Sequence, residues 1–480
     1  LPERILQFGG GNFLRAFADW MVDVANRQGV INGRIVVVQS VSRDRGRTVE
    51  EQDGYYTVLT RGMRGGVVVD APEVVTSVSR SLVATDPAQW AEVLRIAASP
   101  ELRVVLSNTT EAGIVFVPEP LVADAAPTSY PGKLCAVLLE RFRRLGSQAR
   151  GLIVLPCELI ERNGQQLREA VLKTAAHWQL PAEFIAWLDA GTVFCDTLVD
   201  RIVPGGAGAD ADTIAARLGY DDRLLTVAEP YHVWVITAPE SVRHELPFDR
   251  VGLNVVWSDD LPAWRTKKVR VLNGAHTAMA MLGHLAGATT VIEVMRDAEL
   301  AALVSRLLVR EVAPTLPADP GNAAYVTAIT ERFANPFLKH ELLAISLNSV
   351  AKWKVRLLPT LKDALAAGRP APLIVASLAG LILFYRGVLV DGKELAGQCA
   401  GRPYAIKDDS AVLATFAARW AAYDRTGDLA GLVDETLGDV GLWGADLRML
   451  GIAAEVAARL HALLTMGARA VVTDLLKETA

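Results

Sequence analysis

Arg4-Ile5-Leu6-Gln7-Phe8-Gly9-Gly10-Gly11-Asn12-Phe13-Leu14-Arg15-Ala16-Phe17 decides how the rest of this chain is read. Five residues of strand character run into three glycines. Behind them comes an amphipathic stretch, Phe13 to Asn26, with Leu14, Phe17 and Met21 on one helical face. Glycines at such a junction permit a tight turn and a close approach of backbone to a pyrophosphate. The helix start that follows offers unpaired N–H groups and a favourable dipole. Gly9 and Gly11 occupy the first two glycine positions of a dinucleotide fingerprint, while Leu14 stands where the third belongs. The motif is incomplete, and its context carries more weight than its letters.

Working outward, that context repeats. Ile35 to Gln39 is a strand apolar on both faces, as a buried parallel sheet requires. Asp86 to Ala98 reads as a helix opened by Asp-Pro, and Leu102 to Leu106 as the next strand. Helices over Lys133 to Leu145 and Gln165 to Trp178 flank a strand at Gly151 to Leu155, and Tyr231 to Ile236 is a later strand. The β-α-β rhythm predicts a Rossmann-like, doubly wound α/β domain. Ser107-Asn108-Thr109-Thr110-Glu111 then falls at the carboxyl end of a parallel strand, the ligand side of such a sheet. After the second strand, Asp44 can take the ribose hydroxyls of NAD, whereas Arg43 and Arg45 can accept the 2′-phosphate of NADP; both options stand.

Past Trp264 the texture changes. Thr277 to Leu285, Val291 to Val312, Pro372 to Tyr385, Ser410 to Asp424 and Gly451 to Leu463 read as helices, and strand-like runs are nearly absent. The fold class expected is therefore α/β plus all-α: a dinucleotide-binding domain over 1–258 and a mostly helical, substrate-binding and catalytic domain over 259–480. The apolar run Leu373 to Tyr385 is shorter than the roughly 20 residues of a bilayer span and reads as a buried helix.

With 51 % apolar and 21 % charged residues, the 480-residue chain has material for large cores. A net charge of -5 and the lack of a basic tract argue against a nucleic-acid partner. Cys135, Cys157, Cys195 and Cys399 are scattered without a C-x-x-C pair, so neither a disulfide frame nor a zinc site is expected, and metal is assigned no role. The first residues lead directly into a strand with no signal-peptide pattern; a cytoplasmic protein without a membrane partner is the expectation.

The second half contains Lys268-Val269-Arg270-Val271-Leu272-Asn273-Gly274-Ala275-His276. On a helix Asn273 and His276, three apart, share a face, and Lys268 lies one or two turns earlier. An amine, an amide and an imidazole so grouped can move a proton and hold a hydroxyl or carbonyl oxygen. A lysine amine, normally near pKa 10.4, must be lowered by burial or a nearby cation to serve at neutral pH. Lys267, Arg270 and a charged cofactor ring are the candidates for that cation.

These segments together resemble the long-chain polyol dehydrogenase family, to which mannitol 2-dehydrogenase belongs. The likeness rests on Gly9-x-Gly11-x-Phe13-x-Arg15-Ala16, on Leu198-Val199-Asp200-Arg201-Ile202-Val203-Pro204, and on the lysine–asparagine–histidine spacing. It implies a zinc-independent oxidoreductase. By that resemblance Lys268 is expected to be the general acid/base, and Asn273 and His276 to polarise the substrate oxygen. Gly9, Gly11, Asn12, Phe13, Arg15, Ser107 and Asn108 are expected at the NAD site, and Asp200 and Lys352 near the substrate. Two departures stand out. Polyol-type members carry Cys-Asp-Asn where this chain has Cys157-Glu158-Leu159, and an arginine where it has Ala344.

Those departures suit a branch of the family implied to reduce the keto group of hexuronates with NAD. That branch is also resembled by Gln52-Asp53-Gly54-Tyr55-Tyr56-Thr57, Tyr130-Pro131-Gly132-Lys133-Leu134 and Asn335-Pro336-Phe337-Leu338-Lys339-His340-Glu341. A uronate brings a carboxylate that needs a cation, and Lys352, Lys354 and Arg356 form a local cationic cluster. The competing classes are an NAD-using epimerase of a similar sugar acid and a non-catalytic sensor; the intact Lys268 counts against the sensor.

Overall fold

The computed structural model describes residues 1–40 and 43–479, without the side chains of residues 43–45 and 111. The chain forms two compact units, one of Leu1–Arg61 with Val68–Trp264, the other of Gly62–Val67 with Arg265–Ala480.

The first unit is built on six parallel strands in the order Val78–Val83, Arg34–Gln39, Glu3–Phe8, Val104–Ser107, Ile153–Pro156, Val193–Phe194. The chain starts in the middle, builds outward on one side, then returns to build on the other. This is the doubly wound order, with its switch point between Glu3–Phe8 and Val104–Ser107. Alternate residues feed two cores. Ile5, Val37, Leu106 and Leu155 face one layer with Phe17, Met21 and Trp234. Leu6, Phe8, Val38, Val105 and Val154 face the other with Trp90, Leu134, Leu138 and Val171. Both faces being covered explains the unbroken β-branched runs. Each fully buried Leu, Val or Phe contributes about 1.5–3 kcal/mol.

The elements start where local chemistry says they should. Asp86 accepts from the N–H groups of Ala88 and Gln89, with Pro87 in the first helical turn. Ser129 caps Tyr130–Leu145 in the same way, three residues before the start read from sequence. The first helix runs from Asn12 to Arg27 but is π-wound over Arg15–Asp19. Strands Tyr56–Arg64 and Val67–Val75, which intervene before Val78–Val83, were not expected from the sequence.

The second unit is mostly helical, with Pro372–Phe384 buried nearly all round. Val291 to Val312 is not one helix. It ends at Arg296, and Asp297 caps a new helix from Ala298 by accepting from Leu300 N–H. The last helix runs far beyond the expected Leu463, over Ala453–Glu478, with a break at Gly467, whose φ is +82°. Nor are strands nearly absent: Gly387–Val390, Glu394–Cys399 and Arg402–Ile406 form an antiparallel sheet. Its first hairpin turns on Asp391-Gly392, both at positive φ, an Asp-Gly signal that was legible and passed over. No described helix is long and apolar enough to cross a membrane.

Candidate active site

Two groups of candidate residues lie in the two units. In the first, the three glycines are constrained differently. Gly9 has φ +108°, and a Cβ there would lie 3.0 Å from the Asn108 carbonyl oxygen. A Cβ on Gly10 would run into the Gln39 amide at 2.1 Å. At Gly11 a Cβ would meet nothing within 4 Å. The backbone thus requires glycine at Gly9, a side chain at Gly10 would have to displace the Gln39 amide, and Gly11 leaves space above the backbone. Among the described residues no side chain caps the helix that begins at Asn12. Open space beside an uncapped helix start suits an anionic group such as a pyrophosphate.

Arg15, almost a full turn beyond, is 8 % exposed and works on the glycine turn itself. Its guanidinium donates to the Gly10 carbonyl at 2.6 Å, to Thr226 Oγ1 at 3.2 Å and to Asn12 Oδ1. Phe13 stacks on Phe17 with ring centroids 4.9 Å apart, and Asn12 is exposed. The side chains of Arg43, Asp44 and Arg45, on which the NAD-versus-NADP reading rests, lie outside the described residues.

Across the switch point, Asn108 N–H donates to Phe8 O at 3.2 Å, and its side-chain amide donates to Cys157 O at 2.7 Å. Glu158 is the residue whose part the sequence reading missed. Its buried carboxylate accepts from Ser107 Oγ at 3.1 Å, Thr109 N–H at 2.9 Å and Thr109 Oγ1 at 3.0 Å. Burial pushes this carboxyl above the usual carboxylate range, against the pull of those hydrogen bonds. The available signal was an acid at the carboxyl end of a parallel strand. Gln39 is a second such residue: buried, at the end of its strand, its Nε2 without a partner among the described residues. Asp200 ends the strand Asp196–Asp200, opposite Val233, and is 7 % exposed. Next to it, Arg201 lies over the Trp20 ring at 4.4 Å and donates to Glu229 O at 2.9 Å.

The helix from Leu261 to Leu285, which belongs to the second unit from Arg265 on, carries the lysine–asparagine–histidine segment. Residues Lys268–Asn273 are π-wound, so the helix starts earlier than the sequence suggested and bulges at the residues of interest. Five residues apart is about 140° around an ordinary α-helix. An i→i+5 turn brings residues so spaced nearly into line. The π turn therefore carries Lys268 towards the face shared by Asn273 and His276. Lys267 points differently: it is buried and paired with Asp319 at 2.6 Å. Arg270 pairs with Asp363 at 2.6 Å. Both side-chain cations expected to bear on Lys268 are thus already matched by carboxylates.

Gly274 serves packing. A Cβ there would lie 3.4 Å from the Arg356 carbonyl oxygen, so the helix Ser349–Arg356 approaches closely at this point. Its Arg356 Nη1 donates to Thr277 Oγ1 at 3.2 Å, and Thr277 Oγ1 donates to Asn273 O at 3.0 Å. His276 lies against Phe333 and His340, ring centroids 4.5 and 5.2 Å away. Lys352, one turn before Arg356, donates to Ile345 O at 2.8 Å. Lys354 does not belong with them. It projects to Gly444, 2.9 Å from where a Cβ would stand, because alternate residues of a helix face apart. The expected cationic trio reduces to Lys352 and Arg356.

Residues 3–250 match the mannitol dehydrogenase Rossmann domain, and residues 260–462 the mannitol dehydrogenase C-terminal domain. Altronate oxidoreductase of Halalkalibacterium halodurans is 45 % identical, covering 100 % of this chain and 94 % of the relative. Altronate oxidoreductase of Cronobacter sakazakii is 41 % identical over 99 % and 97 %. Among solved structures, substrate-free D-sorbitol dehydrogenase superposes with a TM-score of 0.78 at 22 % identity, covering 98 % of this chain and 95 % of that one. The Pseudomonas fluorescens mannitol 2-dehydrogenase ternary complex with NAD and D-mannitol gives 0.66 at 24 % identity, over 99 % and 94 %. At these identities the structural likeness is one of fold.

Proposed function

The chain belongs to the mannitol dehydrogenase family, and on that premise we propose that it is an NAD-dependent oxidoreductase interconverting D-tagaturonate and D-altronate. The observation that supports this reading is the 45 % identity, over the whole chain, to an altronate oxidoreductase, and the π winding of Lys268–Asn273 supports the assignment of Lys268, Asn273 and His276 to one face.

The cofactor supplies a hydride to the keto carbon, and its pyrophosphate fits the open space over Gly11 at the uncapped helix start. Gly9, Asn12, Phe13, Arg15, Ser107 and Asn108 shape that end of the sheet. Arg15 holds the turn through the Gly10 carbonyl, and Glu158 holds the loop of Ser107 and Thr109. As hydride arrives, negative charge grows on the former carbonyl oxygen. Asn273 and His276 donate to that oxygen, and Lys268 delivers the proton that completes the alcohol. In the oxidative direction Lys268 accepts the same proton. Lys352 meets the carboxylate at the far end of the sugar acid, and Asp200 is assigned to the substrate side as well. A cytoplasmic setting fits the buried thiols of Cys135, Cys157 and Cys195, which burial holds well above the usual thiol range.

One assay panel tests this: tagaturonate, fructuronate and fructose, each with NADH and with NADPH. Tagaturonate with NADH is expected to be at least about tenfold more efficient than fructose, from one charge-assisted contact of about 1.5–3 kcal/mol. Equal or better use of fructose returns the chain to the polyol dehydrogenases. A preference for fructuronate keeps the reaction and changes the substrate. Conversion of the sugar acid without net loss of NADH absorbance indicates an epimerase.

A further inference from the structure

We infer that His340 and Arg356 join Lys352 in a carboxylate-binding subsite beside His276, and that this subsite sets the preference for sugar acids over neutral ketoses. The inference rests on the sugar-acid reading above and assigns it two residues. Lys352 and Arg356 are four apart on the helix Ser349–Arg356 and so share a face. Arg356 is tied through Thr277 Oγ1 to the residue beside His276, and the His340 ring stands edge-on to the His276 ring with centroids 5.2 Å apart. His340 and Arg356 thus lie against His276 and Thr277, and Lys352 is near enough to both that its charge is felt by His340 and the Arg356 charge is felt by it.

Lys352 and Arg356 are the charged members of this group, and His340, whose proton affinity burial lowers, stands beside them as an imidazole hydrogen-bond donor. Among the described residues none of the three makes a hydrogen bond or ion pair with a carboxylate. Lys352 donates to the Ile345 carbonyl and Arg356 to a threonine hydroxyl. The acid that acts on Lys352 from a distance, Asp408, takes the Tyr385 hydroxyl on its Oδ2. Burial, and then the neighbouring cation, lowers the proton affinity of both Lys352 and His340, and burial alone does so for Arg356. By contrast Lys267, Arg270 and Arg419 in the same unit each face an acid within 2.6 Å. Partly buried cations held together without a counter-ion are costly in the free protein. A bound carboxylate relieves that cost, with two hydrogen bonds from a guanidinium or one each from guanidinium and amine. A hydroxymethyl group at the same place gains nothing comparable.

The test uses the full-length chain and three variants: His340→Asn, Arg356→Met and Arg356→Lys. Steady-state kinetics with tagaturonate and with fructose at saturating NADH give kcat and KM separately. His340→Asn and Arg356→Met are each expected to lower kcat/KM for tagaturonate by about 10- to 100-fold, the usual weight of a charge-assisted hydrogen bond, mainly through KM. Fructose turnover is expected to stay within about threefold, and Arg356→Lys to restore part of the loss. Equal losses on both substrates would mean that the residues only support the fold, and no loss would remove them from the subsite; either overturns the inference. If Arg356→Met does not fold, His340→Asn alone decides. A parent enzyme that prefers fructose overturns the sugar-acid reading itself, whereas a parent that prefers tagaturonate with variants that keep the preference overturns this inference alone.

Discussion

Glu158 Oε1 takes both hydrogens that Thr109 offers, the main-chain N–H at 2.9 Å and the hydroxyl at 3.0 Å. Its other oxygen takes the Ser107 hydroxyl at 3.1 Å. One buried carboxylate thus fastens the loop at the carboxyl end of Val104–Ser107 to the neighbouring strand. Glu158→Ala is expected to raise the NADH dissociation constant by about tenfold or more, since hydrogen bonds to a charged group contribute about 1.5–3 kcal/mol. Glu158→Gln, which keeps one acceptor, should lose less. Fluorescence titration with NADH reads the effect, and unchanged affinity in the alanine variant would detach the loop from the cofactor.

Gly11 separates cofactor binding from folding more cleanly than its neighbours. A Cβ at Gly9 or Gly10 crowds Asn108 or Gln39, whereas one at Gly11 meets nothing within 4 Å among the described residues. Gly11→Val should therefore fold with a melting temperature close to the parent's and bind NADH at least roughly tenfold more weakly, because the branched side chain fills the approach to the backbone. A variant that melts normally and still binds NADH with parental affinity places the nucleotide elsewhere.

Much of the first unit was legible because its signals are local. A β-branched run, a glycine turn and an amphipathic helix each declare themselves within a dozen residues, and their repetition implies the sheet. The hairpin of Tyr56–Arg64 and Val67–Val75 was missed because its outer strand is largely exposed and lacks an apolar alternation to detect. At the candidate site, spacing and resemblance single out Lys268, Asn273 and His276. The π winding over Lys268–Asn273 was not legible, because it is a feature of the backbone's hydrogen-bond register. Lys354 looked equivalent to its neighbours in sequence and separated from them only when the helix packed against Gly444. Glu158 and His340 were passed over for a related reason: what each does depends on partners distant in the chain.

Asp19 carries a pH prediction. It is fully buried, and burial raises its pKa from 3.8 to about 6 despite the hydrogen bond from Tyr56, the nearby Arg15 charge and the Gln7 amide. Tyr56 has one hydroxyl proton and two acceptors in reach, Asp19 Oδ2 and the Arg15 carbonyl, each at 3.1 Å. A protonated Asp19 satisfies all of them, since the acid donates to the phenol oxygen while the phenol donates to the carbonyl. The folded state therefore holds this proton more tightly than the unfolded state. The associated stability is fully present below about pH 4 and lost as pH rises to about 6, by about 3 kcal/mol in all. Asp19→Asn mimics the protonated acid and should escape that loss. Denaturant unfolding from pH 4 to 7 should show the variant gaining on the parent up to about pH 6 and holding its lead above; a pH-independent difference would sink the assignment.

Lys268 carries the functional prediction most open to refutation. Within its cluster Asn273 cannot exchange a proton at neutral pH, and His276 is assigned to the oxygen. The amine is then the group that must give and take a proton in each cycle. Lys268→Ala is expected to reduce turnover by about 10²–10⁴-fold, the span ordinarily contributed by general acid/base catalysis, while NADH affinity stays within about twofold. Because the lysine is only partly buried, the truncation should leave the helix Leu261 to Leu285 in place, which circular dichroism and the melting temperature will report. Lys268→Arg separates charge from chemistry. Its guanidinium keeps the positive charge but does not release its proton, so it should be nearly as inactive as alanine. An arginine variant that turns over within a few-fold of the parent would mean that Lys268 supplies charge alone, and the proton donor would have to be sought at His276.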